Sequence, residues 1–142
     1  MSTSSYAQIL RSHADARPGA PALTFEGRTW TFSQLHESCS RSAQALREAG
    51  VKPGDRVALL AKNCAESFEL MFACNMIGAV MTGLNWRLSA REIAAIVADA
   101  SPKVVVVAPD EDVLLCDLSI EVAAATRIVR LGEYYDIWRD AA

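Results

Sequence analysis

A chain of 142 residues fits one domain and is long enough to bury a real core. Its 51% apolar and 22% charged residues, with a formal net charge of −3, describe an ordinary globular composition; no basic run or Arg/Lys stripe interleaved with aromatics is present, which excludes a general nucleic-acid binder. No run of 18 uncharged apolar residues occurs and the N-terminal stretch lacks a signal-peptide core, so no membrane span and a cytoplasmic location are expected.

The first element expected is a helix over residues 5–16, with an apolar stripe at Tyr6, Ile9, Leu10 and Ala14. Ser5 and Gln8 have the spacing of a capping box, and Pro18 stops the helix because it lacks an N–H and its ring blocks the next turn. Two short strands, 22–25 and 28–31, joined by Glu26-Gly27, read as a tight hairpin. Thr31 and Gln34 form a second box opening a helix to about Ala49, with Gly50 suited to the left-handed position past its end. Lys52-Pro53-Gly54-Asp55 is a turn, and Val57–Leu60 a buried strand. Asn63 and Glu66 read as a third box, before a helix apolar on almost every side that must be sandwiched inside a layered fold. A short strand at 79–84 leads to a turn at Asn85-Trp86-Arg87-Leu88. Ser89 and Glu92 form a fourth box, and Val104–Val107 reads as a strand buried on both faces.

Pro109-Asp110 opens a weaker helix through about Ala125, followed by a strand at 127–131, then Gly132 and a last helical piece at 134–139. Strands alternate with helices from residue 56 onward. The expected fold is therefore α/β: a layered, mainly parallel sheet flanked by helices, with an N-terminal helix and β-hairpin.

The search for chemistry begins with what is missing. Seven glycines stand alone, each with a turn or helix-end explanation, and no clustered-glycine phosphate loop exists. Four cysteines have no C-x-x-C spacing; Cys39, Cys74 and Cys116 fall in helix patterns, where cysteine behaves as a small buried hydrophobe. His36 beside Glu37 has the composition of a general base, but a surface or cap-region histidine explains it without one. Asp110, Glu111 and Asp112 follow a parallel strand, where metal or phosphoryl chemistry is often sited; acids at a helix N-terminus also answer the helix dipole. The most informative polar group is Asn85-Trp86-Arg87. Tryptophan beside arginine can stack on a nucleotide base or grip a phosphate, or else Trp86 is core and Arg87 reaches along it to solvent.

The order Thr29-Trp30-Thr31-Phe32-Ser33-Gln34-Leu35, then Gly50-Val51-Lys52-Pro53-Gly54-Asp55-Arg56-Val57-Ala58, resembles the N-terminal region of adenylate-forming acyl-CoA synthetases. Asn63 with Glu66, Ile77-Gly78-Ala79-Val80, Leu84-Asn85-Trp86-Arg87-Leu88-Ser89-Ala90-Arg91-Glu92-Ile93, Asp99-Ala100-Ser101-Pro102-Lys103 and Tyr134-Tyr135-Asp136 continue the likeness in order. Gly83 departs from it, standing where the family commonly has proline. The Asn-x-Arg-Leu loop leans toward fatty-acid and aryl-acid CoA ligases.

The resemblance implies a parent of roughly 500 residues, about three domains' worth. Such an enzyme uses ATP and Mg²⁺ to convert a carboxylic acid to an acyl-adenylate, then passes the acyl group to coenzyme A. On that reading residues 1–142 are a single N-terminal subdomain, the catalytic loop and C-terminal domain lie outside it, and the chain alone is inactive. Asn85, Trp86 and Arg87 would border the coenzyme A entrance. The partner would be the remainder of the ligase, with homo-oligomerisation through an exposed apolar face as a further expectation. A free-standing interaction or dimerisation module is the alternative. A phosphoacceptor domain fits less well, because its aspartate should follow a central strand and Ala61-Lys62-Asn63 follows here instead. Arg11, Arg17 and Arg28 are candidates for touching an acidic membrane surface.

Overall fold

The computed structural model describes residues 5–142. The first four residues, which open the stretch read for a signal peptide, lie outside them. Helix α1 (Tyr6–Ala16) precedes a hairpin of β1 (Pro21–Phe25) and β2 (Arg28–Thr31), and then α2 (Phe32–Glu48). The sheet-forming part follows: β3 (Arg56–Leu60), α3 (Ala65–Ile77), β4 (Val80–Leu84), α4 (Ala90–Ala100) and β5 (Val104–Val107). A 3₁₀ helix (Pro109–Leu115), α5 (Ile120–Ala125), β6 (Arg127–Arg130) and α6 (Glu133–Asp140) complete it.

Local chemistry explains most boundaries. The boxes at Ser5/Gln8, Thr31/Gln34 and Ser89/Glu92 are formed, each side chain accepting from the other's backbone N–H. The hairpin turn places both Glu26 and Gly27 at positive φ (48° and 78°), the twist that matches two right-handed strands. Gly78 ends α3 at φ 73°, and a Cβ there would stand 3.3 Å from Pro53; both the turn and the close approach require glycine.

Four expectations are corrected. The third box does not form: Cys64 is the N-cap of α3 and makes no side-chain cap bond, its sulfur meeting the Ser67 hydroxyl at 3.3 Å instead. The helix expected over 109–125 breaks in two, because the Ser119 hydroxyl accepts from the Val122 N–H and starts α5 anew. Gly83 lies within β4, opposite Leu59, rather than in a turn. Cys116 is exposed just past the 3₁₀ helix, whereas Cys39 and Cys74 are buried as expected.

The sheet has the order β4-β3-β5-β6, all parallel. Val57, Leu59, Val104, Val106 and Val129 point to one face, where they pack with residues of α2, α3 and α6. Ala58, Leu60, Val105 and Val107 point to the other, under α4 and the 3₁₀ helix. The valine strand is buried on both faces, as its composition demands. Helix α3 is largely enclosed, yet it buries Glu69 and leaves Phe68 49% exposed.

This connectivity creates a topological switch. After β3 the chain leaves to the α3 face; after the neighbouring β5 it leaves to the opposite face. The carboxyl ends of β3 and β5 therefore part, opening the crevice at which ligands of open α/β sheets bind.

Candidate functional site

Three adjacent strands deliver side chains to that carboxyl edge. Lys62 follows β3, Asn85-Trp86-Arg87 follow β4, and Glu111 stands at the start of the 3₁₀ helix after β5. The Asn85 side-chain oxygen accepts the Arg87 backbone N–H at 3.0 Å, and the Asn85 carbonyl accepts the Leu88 N–H at 3.0 Å, closing a turn. That turn is why asparagine opens the loop. Trp86 is half-buried and packs on the core face formed by Ala58, Leu60 and Leu84. The Lys62 ammonium lies 4.8 Å and the Arg87 guanidinium 4.5 Å from the Trp86 ring centroid. An indole attracts both cations through its quadrupole.

Glu111 is only 6% exposed, and its carboxylate lies 3.5 Å from the Lys62 ammonium across the switch crevice. Asp112 forms a two-pronged pair with Arg130, at 2.9 and 3.2 Å. Asp110 is exposed at the surface. The acidic run is thus split between two ion pairs, and among the described residues no group of three His, Cys, Asp or Glu stands together to hold a metal.

Sequence reading found the Asn85-Trp86-Arg87 loop but not its partners. Lys62 was seen only as a residue that is not aspartate, and Glu111 only as one of three acids. The signal that joins them is positional: each follows a strand that the topology places side by side.

The remaining candidates are placed elsewhere. His36 lines a groove of about 550 Å³ between α1, α2 and α3, where the Ser40 hydroxyl donates to the His36 backbone carbonyl at 2.8 Å. Arg17 stacks on Phe32 at 4.8 Å and Arg28 on Trp30 at 4.4 Å, while Arg11 lies 3.9 Å from Asp15. Among the described residues no helix is long and apolar enough to cross a membrane.

A second polar cluster escaped sequence reading entirely. Glu69 on α3, 6% exposed, accepts hydrogen bonds from the Ser42 hydroxyl on α2 and, at 2.7 Å, from the Tyr135 hydroxyl on α6. The two hydroxyl oxygens are 2.9 Å apart, but each has one hydrogen, so the carboxylate is what satisfies both. Arg139 lies 3.6 Å from the other Glu69 oxygen and pairs with Asp136 and Asp140. Burial and the Glu69 charge push the Tyr135 hydroxyl well above its ordinary pKa, so it stays a donor. The cluster bolts α6 to α2 and α3.

Comparison with known proteins gives a consistent answer. The AMP-binding enzyme family matches over residues 10–137. The chain is 38% identical over 132 residues to the fatty acid–[acyl-carrier-protein] ligase ScoC of Streptomyces coeruleorubidus, covering 93% of this chain and 25% of that protein. It is 37% identical over 114 residues to a feruloyl-CoA synthase of an Amycolatopsis species, covering 80% of this chain and 22% of that one. The fold superimposes on the N-terminal domain of FACL13 from Mycobacterium tuberculosis with a TM-score of 0.89 at 25% identity, over 99% of this chain and 36% of that one. The chain thus spans about a quarter of the length of these curated relatives. It belongs to the family of AMP-binding enzymes.

Proposed function

We propose that this chain is the N-terminal scaffold of an ATP-dependent ligase that activates a fatty or aryl carboxylic acid as an acyl-adenylate and passes the acyl group to coenzyme A. The observation that carries the reading is the family match over residues 10–137 on a fold shared with an N-terminal ligase domain. ATP, Mg²⁺ and the acid are then handled by the remainder of the ligase, and the cytoplasm is the natural compartment. In-line attack on the α-phosphate needs donors and a metal set against developing charge. The 142-residue chain is accordingly inactive by itself. Carboxylate-dependent pyrophosphate release from the purified chain, at even a small fraction of ordinary enzyme rates, would refute this.

Asn85, Trp86 and Arg87 border the coenzyme A entrance in this reading, with Arg87 answering phosphate charge at a surface where the Asn85 turn holds it outward. Arg87→Ala in a full-length ligase should raise KM for coenzyme A and leave adenylation intact; an unchanged KM returns the loop to a structural role. The relative named for an acyl-carrier protein supports a second acceptor, a carrier protein in place of coenzyme A. Acyl transfer measured with each acceptor separates the two.

The remainder of the ligase also has surface to cover. Tyr134 and Ile137 on α6 are 55% and 62% exposed beside a groove of about 300 Å³ lined by Ala45 and Trp138. Contiguous apolar surface of this kind marks an interaction face. Left uncovered, it should make the isolated chain self-associate, which light scattering over a concentration series reads directly.

A further inference from the structure

Lys62 and Glu111 belong to no motif of the loop, yet the fold brings both to it. We infer that Lys62 is a second phosphate-gripping cation of this edge, and that Glu111 is the positioning residue that holds it against Trp86. The inference rests on the reading of Asn85-Trp86-Arg87 as an anion-facing border and extends it to two residues from other strands.

Four observations support it. First, Lys62 and Arg87 both stand within 5 Å of one indole, at 4.8 and 4.5 Å from its centroid. Two cations gathered at one ring repel each other, and an anion bound beside them relieves that repulsion. Second, the Glu111 side chain is 7% exposed while that of Lys62 is 58% exposed. The carboxylate is thus recessed behind the ammonium, and the ammonium keeps an open side. Third, the Glu111 backbone is held in place: its N–H donates to the Ala108 carbonyl at 3.0 Å, so the 3₁₀ turn fixes the point from which its buried side chain reaches Lys62. An unheld lysine spreads over many rotamers, and a recessed anion narrows that spread without occupying the site. Fourth, the pair spans the crevice between β3 and β5, where the crossovers part to opposite faces.

The chemistry selects the ligand class. Two cations gathered at one indole match a diphosphate or a phosphate monoester dianion, which spreads charge over several oxygens. A lone carboxylate offers one negative charge and satisfies only one of them. Arg87 supplies a planar fork and Lys62 a mobile point charge, a combination suited to adjacent phosphate oxygens.

The test uses the 142-residue chain, ¹⁵N-labelled, with inorganic pyrophosphate as the probe at low salt and acetate as the control. Three tryptophans give three indole N–H signals, assigned with Trp30→Phe, Trp86→Phe and Trp138→Phe. Pyrophosphate should shift the Trp86 signal saturably, and acetate should not. Lys62→Ala should weaken pyrophosphate about fivefold or more, and Lys62→Arg should restore most of that loss. Glu111→Gln, which keeps shape, decides between positioning and mere neutralisation. A counter-ion lost from beside Lys62 makes the surface more positive and strengthens anion binding; a lost positioning residue weakens it despite the added charge. We expect weakening of about threefold, together with a displaced Trp86 signal in the free variant.

Unmoved Trp30 and Trp138 signals confirm that each variant is folded, and Lys62→Gln replaces the alanine variant if they move. Tighter binding by Glu111→Gln overturns the positioning role. If Arg87→Ala weakens pyrophosphate while Lys62→Ala does not, this inference falls and the loop reading stands. If neither does, or if pyrophosphate leaves the Trp86 signal unmoved, both fall.

Discussion

Two glutamates in this molecule are equally buried, at 6% exposure each, and are surrounded in opposite ways. Glu69 sits between three helices, and its carboxylate is enclosed by two hydroxyls and Arg139. Among the described residues no buried side-chain polar atom lacks a partner, and this cluster is where that completeness is hardest to reach. Glu111 meets one lysine whose far side is open to water, beside an arginine that has no carboxylate partner among the described residues. A closed set of partners uses its hydrogen bonds to hold helices together. A set open on one side leaves charge directed outward, and that is the arrangement a ligand can complete. Burial alone does not separate the two.

The sharpest way to break the comparison is Glu69→Ala. It leaves Arg139 without its buried counter-charge and both hydroxyls without their acceptor, so urea unfolding should show a loss of about 3–5 kcal/mol. Tyr135→Phe removes one donor and should cost about 1–2 kcal/mol. Neither change should alter the response of the Trp86 signal to pyrophosphate in protein that remains folded. The carboxyl edge should respond less in stability and more in binding: Lys62→Ala removes the one cation beside the buried Glu111 carboxylate and should cost about 1–2 kcal/mol, while anion affinity falls. Equal stability losses at the two sites would erase the distinction.

Thiol labelling sharpens it next. Cys39 lies close enough to Glu69 that burial first, and that charge second, push its thiol far above the ordinary range. Burial pushes Cys74 up to about 12. Cys116 is exposed just beyond the 3₁₀ helix that carries Glu111. Cys116 should react with a thiol reagent within the mixing phase at neutral pH, and Cys39 and Cys74 only on unfolding. Glu69→Ala should speed Cys39 labelling and leave Cys116 unchanged.

The smallest effect is pH-dependent. The Arg139 side chain holds the Asp140 carboxylate below its ordinary pKa. A carboxylate depressed in the folded state contributes stability at neutral pH and loses it as pH falls through its folded value, so the window lies below about pH 4. Asp140 is largely exposed, so the change is a slight fall in the urea midpoint in that window. Asp140→Asn should remove that part of the slope, and an identical slope in the variant would detach Asp140 from the α6 cluster.

Much of the fold was legible because its signals are short-range. A capping box spans four residues, and Gly78 at the end of α3 answers a local backbone requirement. Alternation of valine-rich runs with amphipathic helices was enough to expect a parallel sheet. The misses are also physical. Asn63 and Glu66 have the spacing of a box, but the chain turns into the helix at Cys64, whose sulfur is a poor acceptor. A continuous helix over 109–125 gave way where Ser119 offered its hydroxyl to a new first turn. Glu69 is buried within the apolar α3 because α2 and α6 bring hydroxyls that satisfy the acid, while Phe68 on the same helix is 49% exposed.

The sequence by itself determined where most helices and strands begin, which strands are buried on both faces, and that Asn85-Trp86-Arg87 is a polar turn between a strand and a helix. Propensity, capping and hydrophobic period act over a few residues, so one chain suffices to read them. Only the tertiary structure decided which charges meet. Ser42, Glu69 and Tyr135 come together across 27 and 66 residues of chain, and Lys62, Trp86 and Glu111 across three parallel strands. No local pattern encodes such meetings, because they follow from strand order and from the face to which each crossover turns. That order opens the crevice between β3 and β5, and the crevice sets Lys62 beside the loop.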